Sequence, residues 1–151
     1  MNPKNNDILK TYVITTENAI EAVFSSDIAP ETSVSEAMRY SLEAGGKRIR
    51  PSLVMEFCRV VSGDYKKSTD AAVAIEMIHT FSLIHDDLPC MDDDDFRRGK
   101  PSCHKQFSES TALLAGDALE NLAFKVILSS GYDDGIKSRL LSELSDATAR
   151  M

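Results

Sequence analysis

An all-α fold is what this chain predicts, on three observations. Apolar residues recur at helical spacing over most of its 151 positions, most glycines and prolines fall where those stretches end or begin, and no segment carries a convincing strand pattern or internal repeat. Composition agrees: 42% hydrophobic and 27% charged residues, with few glycines and prolines, describe a folded chain and not a disordered one. The length suits one domain with a core of its own, so residues 1–151 are expected to form a single helical domain.

Ile8, Leu9, Tyr12, Thr16, Ala19, Ile20, Val23 and Phe24 lie on one helical face, and the pattern fades before Ala29-Pro30. Ser33-Val34-Ser35-Glu36 reads as a capping box with Ser33 as the cap, opening a short second helix that Gly45 closes. Pro51 suits the first turn of a third helix, whose apolar face is expected to comprise Leu53, Val54, Phe57, Val60 and Val61, ending at Gly63. Residues 69–87 are apolar on nearly every side, as in a buried helix, until Pro89 stops it. Residues 90–102 read as a charged loop. Two further helices, 112–129 and 136–149, flank the turn at residues 131–135.

Acidic side chains outnumber basic ones, 24 to 17, for a formal net charge of −7. Nucleic acid and anionic membrane surfaces are therefore poor partners. Cys58, Cys90 and Cys103 are odd in number and form no CxxC pair, which fits a reducing compartment. The polar first seven residues lack a hydrophobic signal core, and the apolar stretch 71–84 is broken by Glu76, His79 and Thr80 and is too short to span a bilayer. A soluble, cytoplasmic protein is expected.

Chemistry concentrates in two places. Six of the ten residues 86–95 are aspartates, and Arg97, Arg98 and Lys100 follow. Such a run repels itself unless cations neutralise it. Its hard oxygens suit Mg²⁺, which commonly joins one or two carboxylates to a substrate phosphate. An EF-hand calcium loop is excluded, since counting from Asp92 puts Phe96 and Arg97 at its fifth and sixth positions. Zinc is poorly supported because Cys103 and His104 are adjacent, not spaced as ligands. His79 and Asp86, seven positions apart, share a helix face. A hydrogen-bonded core histidine is the plain alternative for His79, and a solvated loop for the aspartates. The second place is Gly45-Gly46-Lys47-Arg48-Ile49-Arg50-Pro51, where two glycines permit a tight bend and three cations precede a helix start, a setting for a diphosphate.

Together, the Gly-Gly-Lys-Arg-x-Arg-Pro turn, residues 78–85, the Asp-Asp-x-x-x-x-Asp run with Arg97-Arg98-Gly99, Ser102-Cys103-His104 and Ala115-Gly116-Asp117 closely resemble the short-chain trans-prenyl diphosphate synthases, especially the bacterial farnesyl type, over residues 40–128. The resemblance implies the N-terminal half of the isoprenoid synthase fold and condensation of isopentenyl diphosphate with an allylic diphosphate through a Mg²⁺-assisted carbocation. It implies that Asp86 and Asp92, supported by Asp87, bind Mg²⁺, that Arg97 contacts the allylic diphosphate, and that Lys47, Arg50, His79 and Arg98 grip isopentenyl diphosphate. Phe81, five residues before Asp86, matches the position that blocks tail growth, implying a C10 or C15 product. Family members are longer, and their distal half holds a second aspartate-rich motif that Asp133-Asp134-Gly135 does not replace. The expectation is therefore little turnover by these residues alone and self-association into a homo-oligomer, a dimer in particular. The non-enzymatic alternative is a Mg²⁺- or diphosphate-binding helical subunit that partners a full-length synthase.

Overall fold

The computed structural model describes residues 3–25 and 32–150. Helices dominate: α1 (Pro3–Phe24), α2 (Ser33–Glu43), α3 (Ile49–Ser62), a 3-10 turn (Tyr65–Ser68), α4 (Thr69–Asp86), α5 (Cys103–Gln106), α6 (Glu109–Ser129) and α7 (Asp134–Thr148). The break expected at Ala29-Pro30 lies outside the described residues.

α4 is the central helix and packs along α6, as its all-round apolar character requires. Val73, Ala74, Met77 and Ile78 of α4 and Ala115, Leu119 and Ala123 of α6 are among the buried residues of the main core. α2 covers one side through Ala37, Met38 and Leu42, while α7 contributes only the half-buried Leu140, Leu141 and Leu144. A smaller cluster joins α1 to α3 and α4 through Tyr12, Met55 and Ala72. There the Tyr12 hydroxyl donates to Glu56 at 2.6 Å, and Arg59 clamps the same carboxylate.

Three local expectations are corrected. The cap of α2 is Thr32, whose hydroxyl accepts from the Ser35 amide at 3.2 Å; Ser33 is already helical. α3 buries Pro51, Ser52 and Met55, whereas Leu53, Phe57, Val60 and Val61 face outward, Val61 with 87% of its surface exposed. The proline side of the helix meets its neighbours, leaving the larger apolar stripe uncovered. The charged loop also contains a small antiparallel hairpin, β1 (Phe96–Arg97) with β2 (Lys100–Pro101), and is followed by α5. Its two turn residues, Arg98 and Gly99, both have positive φ, 55° and 80°, the combination that suits the twist of a two-residue hairpin loop. Among the described residues, no helix is long and apolar enough to cross a membrane.

Candidate functional site

The C-terminal end of α4, the turn after α2 and the hairpin meet at one end of the molecule. α4 carries His79, Phe81, Asp86 and the adjoining Asp87. Past its end, the Asp92 amide donates to the Asp86 carbonyl at 2.8 Å, so the chain doubles back and the first and last aspartates of the motif share one turn. Asp86 is half-buried and Asp92 exposed. Asp87 points inward, with only 3% of its side chain exposed, and is held by the guanidinium of Arg97, whose Nε lies 3.0 Å from Asp87 Oδ1. Arg97 also reaches Asp94 at 3.1 Å.

Arg98, the next residue, turns the other way. Its Nη1 donates to the Gly45 carbonyl, and its guanidinium lies over Gly46, where a Cβ would stand 2.8 Å from Arg98 Cζ. Gly46 also has φ +140°, a conformation L side chains rarely adopt, and it is this backbone rather than the movable tip of Arg98 that favours glycine there. Burial first, then the Arg50 charge, hold the His79 pKa below its ordinary value, with Arg98 and Arg48 adding to the effect. Desolvation and the charges of Arg48 and Arg97 likewise lower Arg98 from the usual arginine value. Lys47 and Arg50 are exposed at the same turn. The charges of Arg50 and Arg98 thus both reach His79, a field that favours a bound anion.

Arg48 departs from the sequence reading that counted it among the cations presented to a diphosphate. It is buried, pairs with Glu76 at 2.8 Å, the two side chains each 2% exposed, and donates to the Leu42 carbonyl at 2.6 Å. Glu76 inside an otherwise apolar helix was the sequence signal for this pair. Phe81 is half-buried against the main core, with its ring edge-on to His85 at 5.4 Å. The Tyr40 hydroxyl donates to the Pro101 carbonyl at 2.8 Å and so ties α2 to the hairpin.

The donor set suits Mg²⁺. Asp86 and Asp92 offer two accessible hard carboxylates on one turn, as many as such an ion commonly takes from protein when phosphate oxygens and water complete its shell. Asp87, expected from the sequence to support the metal ligands, is instead turned inward and engaged by Arg97.

A predominantly helical protein with an acidic rim and a cationic glycine turn at one end is the class these features define. The chain belongs to the polyprenyl synthetase family, whose model matches residues 31–151. It is 52% identical over 126 residues to geranylgeranyl pyrophosphate synthase 12, chloroplastic, of Arabidopsis thaliana, covering 81% of this chain and 35% of that protein. It is 47% identical over 143 residues to heterodimeric geranylgeranyl pyrophosphate synthase large subunit 1, chloroplastic, of the same plant, covering 91% and 38%. The solved geranyltranstransferase of Thermotoga maritima superposes with a TM-score of 0.83 at 42% identity, covering 93% of this chain and 51% of that one. The fold is therefore the isoprenoid synthase fold in part, and the chain spans about a third of the two plant relatives and half of the solved one.

Proposed function

We propose that this chain supplies the first-motif half of a prenyltransferase site, in which isopentenyl diphosphate is condensed with an allylic diphosphate. The observation that supports the reading is the pair of neighbouring arginines: Arg97 engages the acidic rim and Arg98 the glycine turn, which brings the two sequence motifs within reach of each other. Asp86 and Asp92 would hold Mg²⁺, which when bound would supply charge neutralisation for the departing allylic diphosphate. Arg97, steadied by Asp87, adds a fixed cation on that side. Lys47, Arg50, His79 and Arg98 hold the diphosphate of isopentenyl diphosphate, keeping its double bond against the allylic carbon as the C–O bond ionises. The apolar wall of α4 excludes water from the cation, and the proton lost after carbon–carbon bond formation leaves with the released pyrophosphate.

Phe81 is proposed to limit the tail at C10 or C15. The names of the relatives cover both geranyl transfer and geranylgeranyl synthesis, so a C20 product is the competing outcome. A homo-oligomer is proposed from the exposed α3 stripe of Ile49, Leu53, Phe57 and Val60. The three free thiols fit a cytoplasmic setting, although the plant relatives are named as chloroplastic. The relative named as the large subunit of a heterodimer favours one second reading, a binding subunit that works with another synthase chain.

Calorimetry with pyrophosphate separates these readings from an inert scaffold. Binding is expected to require Mg²⁺ and to weaken at least tenfold in Asp86→Asn and in Arg50→Ala; binding indifferent to both substitutions would sink the site. Turnover is expected only of a polypeptide that also supplies the length its relatives have. In such a protein Phe81→Ala should lengthen the product by one or more isoprene units, read by chromatography, and unchanged length removes Phe81 from that role.

A further inference from the structure

Beyond the rim, the fold brings together a second set of ligand groups, although the sequence reading found zinc poorly supported at Cys103 and His104. Asp93, Asp95 and His104 each offer a ligand atom, and the three atoms lie within 4.8 Å of one another. The carboxylates are exposed and His104 is 6% exposed. Its Nδ1 sits 3.1 Å from Ser102 Oγ, while Nε2 is buried and has no hydrogen-bond partner. A buried imidazole nitrogen left bare costs free energy unless something fills its lone pair or takes its proton. The Ser102 amide donates to the Asp95 carbonyl at 2.9 Å, which fastens the acidic loop to the start of α5 and sets the group in register.

We propose that Asp93, Asp95 and His104 form a site for a first-row transition ion of the Zn²⁺ class, separate from the Mg²⁺ pair Asp86 and Asp92. Imidazole selects such ions over Mg²⁺, and a histidine whose other ring nitrogen is hydrogen-bonded is the usual form of that ligand. Bonds of about 2.0–2.2 Å place tetrahedral ligand atoms nearer together than the present spread. The exposed aspartates supply that closure. Lys105 now holds Asp95 Oδ1 at 2.7 Å, and it either shares the carboxylate or yields it to the ion. Asp92 borders Asp93, so an ion here staples the loop that carries the rim to α5.

Zinc chloride titrated into the 151-residue chain in millimolar Mg²⁺ is the test. One equivalent is expected to bind, at least tenfold more weakly in Asp93→Asn and in Asp95→Asn, both exposed positions whose variants should fold, as circular dichroism would verify. Asp86→Asn should bind zinc as the parent does. X-ray absorption should show one imidazole nitrogen with oxygens and no sulfur, and the nitrogen should vanish in His104→Asn. Absence of binding, binding untouched by the Asp93 and Asp95 substitutions, or a thiolate signal from the cysteines would overturn the site.

Discussion

Lys47 and Arg48 are neighbours in sequence and opposites in fate. Lys47 stays exposed, while Arg48, at φ 46°, turns its guanidinium inward to Glu76. A left-handed backbone at a non-glycine residue is costly and persists only where the surroundings demand it; here the demand is the buried ion pair. Removing one partner strands the other charge without water. Glu76→Gln is therefore expected to lower stability by about 3–5 kcal/mol in urea unfolding, and a loss near zero would mean that Arg48 has found solvent. Sequence revealed that Glu76 was out of place in its helix but not which cation answered it, because three candidates stood within four residues. The cap of α2 shows the same limit, since Thr32, Ser33 and Ser35 are all competent hydroxyls and only backbone conformation separates them.

Helices were legible where periodicity was long. α1, α4 and α6 fall within a few residues of their expected spans, because one apolar face or an apolar surround leaves little choice. The face of α3 was not legible: its stripe of large apolar groups is the obvious buried side, yet contact is made through Pro51, Ser52 and Met55. The hairpin was missed since two-residue strands are too short to alternate, although Arg98-Gly99 was a turn signal. At the α4–α6 seam, Gly116 lies directly against His85, whose Nε2 is 3.0 Å from the Leu113 carbonyl; a Cβ there would land on the imidazole. Alanine is the better helix former, yet overpacking should prevail, and Gly116→Ala is expected to destabilise by about 1–3 kcal/mol in thermal unfolding. A stabilised variant would show that His85 moves aside freely.

Across the whole molecule, attachment of α1 rests on a small polar knot as well as on apolar contact. Arg59 and the Tyr12 hydroxyl hold the Glu56 pKa down to about 2, and burial with the Glu56 charge raises Tyr12 to about 12. The signs of the two pH effects differ. Glu56 favours the fold above its unfolded value of 4.5, and that contribution fades as pH falls from there toward 2. Tyr12, kept protonated in the fold, loses its contribution as pH rises from 10 toward 12. Urea midpoints should therefore fall more steeply below pH 4.5 in the parent than in Glu56→Gln, and parallel curves would place the acid sensitivity elsewhere.

The hairpin turn has a mechanical corollary. Arg97 and Arg98 are joined by a single peptide unit yet anchored to different walls, to Asp87 and to the Gly45 carbonyl, so the position of the hairpin backbone sets the reach of both. Two anions seated at the two walls would therefore meet guanidinium groups carried by one short turn, so a change in the hairpin backbone would reach both sides at once.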